Sequence, residues 1–104
     1  MNNVYNKDAI FQVLSENYHE LKQYGVQQIG LFGSYLHGTA NNLSDIDLLV
    51  DLDKDKKTLR NFLQLNYYLE ELFSCKVDLI TKQSLSPYIG PRILKEVEYV
   101  SFEK

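Results

Sequence analysis

The sequence predicts an α/β (α+β) fold, a small mixed sheet with helices packed against it, in the order α-β-β-α-β-α. Three segments place apolar residues at helical spacing, and three shorter segments are continuously apolar or alternate between apolar and polar residues. The link between the first two strands is too short for a full crossover helix, so we expect that pair to be antiparallel. With 104 residues, the chain is expected to form one domain over residues 1–104.

The first helix is predicted over residues 7–24, and Gly25 follows as its stop. The first strand is predicted at Val26–Phe32, because this segment is apolar and too short for a helix. A polar segment at residues 35–43 should be a loop with room for one helical turn. The apolar stripe of the first helix consists of Ile10, Phe11, Leu14, Tyr18 and Leu21.

The second strand is predicted over residues 45–52, where acidic and apolar residues alternate at first. Thr58 is a candidate N-cap for a helix that ends near Ser74. The third strand is predicted over residues 76–81, and the helix between these two strands predicts a parallel pair with a right-handed crossover. Pro91 suits the first turn of a last helix. The apolar residues of that last helix are Ile93, Leu94 and Val97.

The composition is typical of a soluble globular protein, with 44% hydrophobic and 24% charged residues. No apolar run approaches the length of a membrane helix, so we expect no membrane partner. The net charge of −3 argues against direct binding of nucleic acid, because a protein that binds a phosphate backbone normally carries a basic stripe. A single cysteine, Cys75, cannot form an internal disulfide, which favours the reducing cytoplasm.

Two acidic residues lie two positions apart in the second predicted strand. Residues at this spacing point to the same face, roughly 6.5–7 Å apart along the strand. Asp45 and Asp47 would therefore project side by side, while the apolar residues between and after them enter the core. Neighbouring carboxylates repel each other unless a cation lies between them. Ligands that are all oxygen suit Mg²⁺, which completes its shell with waters and substrate phosphates.

Asp78 offers a third carboxylate from the third predicted strand. Its neighbours Val77 and Leu79 are apolar, so Asp78 should face away from them. If this strand lies beside the second one, three carboxylates could hold two Mg²⁺ ions about 3.5–4 Å apart, an arrangement that clamps an in-line phosphoryl displacement. Asp78 would then lie at the ion that activates the attacking hydroxyl.

Gly33 and Ser34 follow directly after the first predicted strand. A glycine at this place lets the backbone approach a phosphate closely, and successive N–H groups form an anion nest. The Ser34 hydroxyl and N–H could hold the terminal phosphates of a leaving pyrophosphate. His37, three residues further on, is interpreted as a loop residue rather than a ligand.

Each of these features also has a purely structural interpretation. A Gly-Ser pair after a strand is often only a turn, Asp45 could be a helix cap or turn residue, and Asp78 could be an exposed edge residue. Together they favour a nucleotide site, because a carboxylate cluster flanked by apolar residues is costly without a metal.

The segment GSYLHGTANNLSDIDLLVDL is similar to the G-S-x10-D-x-D signature of the DNA-polymerase-β-like nucleotidyltransferases. Asp78, within KVDLIT, matches the third carboxylate of that family. The stretch LSPYIGPRILKEVEYV resembles the tail of the minimal nucleotidyltransferases that act as antitoxins in prokaryotes. Many relatives carry arginines soon after the Gly-Ser pair, where this chain has Tyr35 and His37.

The resemblance implies a nucleotidyltransferase fold in which Asp45, Asp47 and Asp78 are the catalytic, magnesium-binding residues and Gly33 and Ser34 bind the nucleotide. It implies that AMP passes from Mg-ATP to a tyrosine hydroxyl of a cognate HEPN-domain ribonuclease toxin, which silences the toxin. A protein acceptor agrees with the chain length, since only about two dozen residues follow the predicted catalytic core, too few for an acceptor-recognition domain.

Two alternatives stay open. The chain could transfer a nucleotide to a small-molecule hydroxyl, although the missing acceptor domain argues against this. It could also be a catalytically silent antitoxin that neutralises its partner by binding. The three acids argue against that alternative, since a binding module does not need them in one cleft.

Overall fold

A mixed sheet of four strands forms the centre of the computed structural model, which describes residues 6–41 and 43–102. The expected domain limits, residues 1 and 104, lie outside the described residues, as does Asn42 in the predicted loop. The strands are β1 (Val26–Phe32), β2 (Ile46–Leu52), β3 (Val77–Thr81) and β4 (Glu98–Tyr99). Their order in the sheet is β3-β2-β1-β4. The β1–β2 pair is antiparallel and the β2–β3 pair parallel, so both predicted pairings are confirmed.

Five α-helices accompany the sheet within the described residues. They are α1 (Lys7–Glu16), α2 (Tyr18–Gln23), α3 (Ser34–His37), α4 (Leu59–Phe73) and α5 (Gly90–Glu96). Thr58 caps α4 as predicted, since its side chain accepts a hydrogen bond from the Asn61 N–H. A proline lies in the first turn of α5, also as predicted.

The prediction of one continuous first helix is wrong, because Asn17 separates α1 from α2. Asn17 leaves the helical conformation (φ −107°, ψ 27°) and its side-chain amide donates to the Val13 carbonyl at 2.8 Å. The Tyr68 hydroxyl donates to Asn17 Oδ1 at 3.2 Å. Asparagine side chains compete with the helical backbone for such hydrogen bonds, which explains the break.

Two further boundaries differ from the prediction. β2 begins at Ile46, so Asp45 lies just before the strand rather than within it. The last helix ends at Glu96, and Val97 is extended (φ −61°, ψ 138°). This extended residue leads into β4, an unpredicted strand that pairs antiparallel with β1.

The two faces of the sheet bury different helices. On one face, α1, α2 and α4 pack over the large core; on the other, α5 packs with Ile93 against Phe32 and Leu49. Each fully buried Leu or Phe side chain contributes about 1.5–3 kcal/mol to folding. Because side chains alternate along a strand, Asp47 shares the α5 face with Leu49. No helix in the described ranges is long and apolar enough to span a membrane.

Candidate active site

β1 ends at Phe32, and the backbone of the next residue, Gly33, requires a glycine. Its φ of 79° and ψ of −154° lie in a region that residues with a side chain essentially do not adopt. A Cβ at Gly33 would also collide with the carboxylate of Asp47. The turn after β1 therefore touches the Asp47 carboxylate directly, which any side chain at this position would prevent.

Ser34 begins α3, the single helical turn for which the predicted loop had room. The N–H groups of Leu36 and His37 donate to the Gly33 carbonyl at 3.1 and 3.2 Å. Gly38 ends the turn in the left-handed conformation (φ 76°, ψ 19°). This turn places Ser34 next to the Gly33–Asp47 contact, as a phosphate-binding turn would require.

Asp47 and Asp78 are direct neighbours in the parallel β2–β3 ladder. Neighbouring strands lie about 4.8 Å apart, which puts the two carboxyl groups within reach of each other. Burial, the charges of Asp78 and Asp45, and a hydrogen bond to Asp78 raise the pKa of Asp47 from its ordinary value of 3.8 to about 6. Asp47 is half-buried and Asp78 exposed, so the pair opens to solvent on the Asp78 side.

Asp45 lies beside this pair rather than on the same strand face. Its charge contributes to the raised pKa of Asp47, and after burial it is the largest cause of the raised pKa of Cys75. Across residues 6–41 and 43–102, no group of three or more His, Cys, Asp or Glu side chains is arranged to hold a metal ion. The structure thus brings Asp47 and Asp78 into contact and leaves Asp45 at their edge.

The Asp47–Asp78 pair fits a hard divalent cation. Burial and repulsion by the neighbouring Asp78 and Asp45 carboxylates disfavour the ionised form of Asp47, which raises its pKa to about 6. A divalent cation removes the same repulsion by replacing the proton, and carboxylate oxygens are the ligands that Mg²⁺ prefers. The donor set at this place therefore suits magnesium.

A contact that the sequence did not predict ties the Ser34 turn to α5. His37 Nε2 lies 3.2 Å from Glu96 Oε1, and so joins the last residue of α3 to the last residue of α5. The two residues are 59 positions apart, and neither belongs to a pattern that connects them in the sequence. His37 is thus a helical residue that braces the turn rather than a loop residue.

A cavity of about 470 Å³ lies away from the acids. Its walls include Leu52 and Thr81, the last residues of β2 and β3, whereas Asp47 and Asp78 lie near the starts of these strands. The separation is roughly 10–16 Å along the strands. We therefore place the candidate active site at the carboxylates and not in the cavity. The other lining residues are Lys57, Thr58, Leu59, Phe62, Gln83 and Ser84.

Comparison with known proteins finds similar sequences and structures. Residues 12–100 match the family model of the nucleotidyltransferase domain. The sequence is 42% identical over 94 residues to the protein adenylyltransferase MntA of Thermococcus cleftensis, a match that covers 89% of this chain and 94% of that protein.

Two solved structures share the fold. A chain of a toxin–antitoxin crystal structure with AMP-PNP superposes with a TM-score of 0.67 at 26% identity, covering 96% of this chain and 76% of that chain. A chain from the complex of tri-AMPylated Shewanella oneidensis HEPN toxin with MNT antitoxin superposes with a TM-score of 0.63 at 22% identity. The second match covers 89% of this chain and 73% of that chain, and at this identity it shows the fold alone.

Proposed function

This chain belongs to the nucleotidyltransferase domain family and is a nucleotidyltransferase, and on that premise we propose that it is an antitoxin-type protein adenylyltransferase. It transfers AMP from Mg-ATP to a tyrosine hydroxyl of a cognate HEPN-domain ribonuclease toxin and thereby neutralises the toxin. The observation that carries the proposal is the Asp47–Asp78 pair, which lies against the glycine turn. The similar proteins support a protein acceptor, since one is a protein adenylyltransferase and another comes from a toxin–antitoxin crystal structure with AMP-PNP.

In this proposal Asp45, Asp47 and Asp78 would hold two Mg²⁺ ions, which would supply positive charge to offset the negative charge of a triphosphate. Gly33 and Ser34 bind the β- and γ-phosphates through backbone N–H groups and the serine hydroxyl. No His or Cys nucleophile is required, because positioning and charge neutralisation supply most of the catalysis in such transfers.

The transfer breaks a phosphoanhydride bond of ATP and forms a phosphate ester bond to the tyrosine. The tyrosine oxygen bonds to the α-phosphorus of ATP, the bond from that phosphorus to the bridging oxygen breaks, and pyrophosphate leaves. Asp78 is the exposed member of the carboxyl pair, so an acceptor hydroxyl that approaches from solvent meets it first. The proposal therefore gives Asp78 the phenol proton, which it then releases to water.

Intact mass of a co-expressed partner tests the proposal. We expect the mass of the toxin to increase by one or more AMP units with Mg²⁺ and ATP, and both Asp47→Asn and Asp78→Asn to lower the rate at least about 100-fold. Asp51→Asn is the matched control, because Asp51 lies on the same strand with the same side-chain parity but near its far end. Full transfer by Asp47→Asn would exclude the proposed carboxylate site.

The same experiment separates the two alternatives. AMP transfer to a small molecule in the absence of any protein acceptor would favour a small-molecule nucleotidyltransferase. A toxin that is inhibited at equimolar ratio yet keeps its mass would favour neutralisation by binding alone. The proposal places the reaction in the cytoplasm, which agrees with the free thiol of Cys75.

A further inference from the structure

The outer face of α4 carries large apolar side chains in a row. Leu59, Leu63 and Tyr67 are 73%, 45% and 67% exposed and follow one another at a spacing of four residues. Residues at this spacing lie one above the other on a helix. A different face of α4 already buries Leu65, Leu69 and Phe73 in the core. A surface helix normally presents polar residues to solvent, so this second apolar face, the α4 stripe, indicates a contact.

Charged residues flank the α4 stripe in a definite order. Basic residues lie at the N-terminal end, where Lys56 precedes the helix and Arg60 belongs to its first turn. The exposed acidic residue at the C-terminal end is Glu71, whereas the neighbouring Glu70 accepts a hydrogen bond from the Val77 N–H at 3.1 Å. This order opposes the helix dipole, which favours acids in the first turn and bases in the last, and α4 has neither. The charge order is therefore unfavourable within one copy of the helix.

We infer that a second copy of this chain covers the α4 stripe, with the two α4 helices antiparallel about a twofold axis near Leu63. In a twofold interface the same surface is used by both copies, so it must be complementary to itself. The α4 stripe meets this condition, because antiparallel packing sets the basic end of each helix against the acidic end of the other. The two helix dipoles also oppose each other in this arrangement, so the charge order that is unfavourable in one copy becomes favourable in two.

The cavity of about 470 Å³ lies at the basic end of the α4 stripe. Leu59 and Phe62 belong to its lining. Leu59 and Tyr67 are equally far from Leu63 along the helix, so antiparallel packing brings the Tyr67 ring of each copy towards Leu59 of the other. The ring then has an apolar recess to enter, as aromatic residues at the centre of interfaces commonly do.

The inference does not depend on the proposed function. α4 packs on the large-core face of the sheet, whereas Asp47 lies on the α5 face. A dimer through α4 therefore leaves both candidate active sites open.

Sedimentation equilibrium of the purified chain tests the inference. Between about 1 µM and about 1 mM, the weight-average mass should rise from 12.1 kDa towards twice that value. Leu63→Glu should weaken dimerisation at least about tenfold, because it places two like charges at the twofold axis. The control is Leu94→Glu on α5, since Leu94 is 47% exposed and thus matches Leu63.

A charge exchange tests the antiparallel order. Arg60→Glu should weaken dimerisation about three- to tenfold, and Arg60→Glu combined with Glu71→Arg should restore it, because opposite charges then face each other again. Circular dichroism checks that each variant is folded. A monomer at every concentration would overturn the inference, as would a Leu63→Glu variant that dimerises like the parent or a charge exchange that restores nothing.

Discussion

At the scale of single residues, Asp47 connects the stability of the fold with its chemistry. Its carboxyl group is half-buried, touches the Gly33 turn and has a pKa that burial and the neighbouring Asp78 and Asp45 raise to about 6. Without a cation, the ionised form of Asp47 opposes folding, because burial and two neighbouring acids disfavour its charge. Packing alone would favour an uncharged side chain at this position. The stability cost of Asp47 therefore indicates that a cation offsets its negative charge when the substrate binds.

We predict that Asp47→Asn stabilises the chain in a chelating buffer above about pH 6. The pKa of Asp47 is raised from 3.8 to about 6 in the fold, so its stabilising contribution is complete below pH 3.8 and is lost as the pH rises through 6. After allowance for solvent screening of a half-exposed group, the gain at pH 8 is of the order of 1 kcal/mol. Thermal unfolding at pH 8 and pH 4 measures it, with Asp51→Asn as the control. A variant less stable at pH 8, or one with the same gain at pH 4, would contradict this prediction.

At the scale of elements, the sequence predicted the strand pairings that follow from local patterns of residues and from the lengths of the connections. Alternation in β2 and a crossover of helical length placed Asp47 beside Asp78, and a short link made β1 and β2 antiparallel. β4 was not predicted because two exposed residues carry no periodic signal; it forms where Gly30 leaves room for Val97 and Tyr99 against β1. That glycine inside a strand was the available signal, since such a residue often marks the close approach of another backbone.

We predict that His37→Ala weakens nucleotide binding without slowing the transfer step. A helical turn of four residues is not stable on its own, so α3 depends on its contacts with the rest of the chain. A hydrogen bond between two side chains contributes about 1 kcal/mol, which gives a rise in the KM for ATP of about two- to fivefold with kcat nearly unchanged.

Steady-state kinetics of His37→Ala, Glu96→Ala and the double variant measure this effect. If the contact between the two side chains is responsible, the double variant is no worse than either single one. His19→Ala on α2 is the control, because that histidine is also exposed. Additive losses, or a fall in kcat alone, would contradict a role of this contact in holding the turn.

At the scale of the whole molecule, the sheet separates two surfaces with different properties. The α5 face carries the acids and the glycine turn, and α4 on the opposite side carries the exposed α4 stripe. The sequence predicted the first surface, because the acids stand out against apolar strand neighbours. It did not predict the second surface, because Leu59 and Leu63 have the helical spacing expected of core residues. Only the packing of α4 shows that these two side chains stay exposed. The roles of Asp45, Asp47, Asp78, Gly33 and Ser34, and the single domain, stay predictions.

We predict that the chain binds a nucleotide without any partner protein. A ligand at about 100 times its dissociation constant stabilises the folded state by about 2.7 kcal/mol, and each kcal/mol raises the unfolding temperature of a domain of this size by roughly 4–8 °C. We therefore expect Mg²⁺ with a non-hydrolysable ATP analogue to raise the unfolding temperature by roughly 10 °C or more. The shift should vanish with a chelator and in Asp78→Asn, since the carboxylates and the triphosphate are both negative and bind each other only through a cation. Asp51→Asn should retain the shift. An equal shift in the chelator would mean that the analogue binds elsewhere, and the cavity between Leu52 and Thr81 would then be the site to examine.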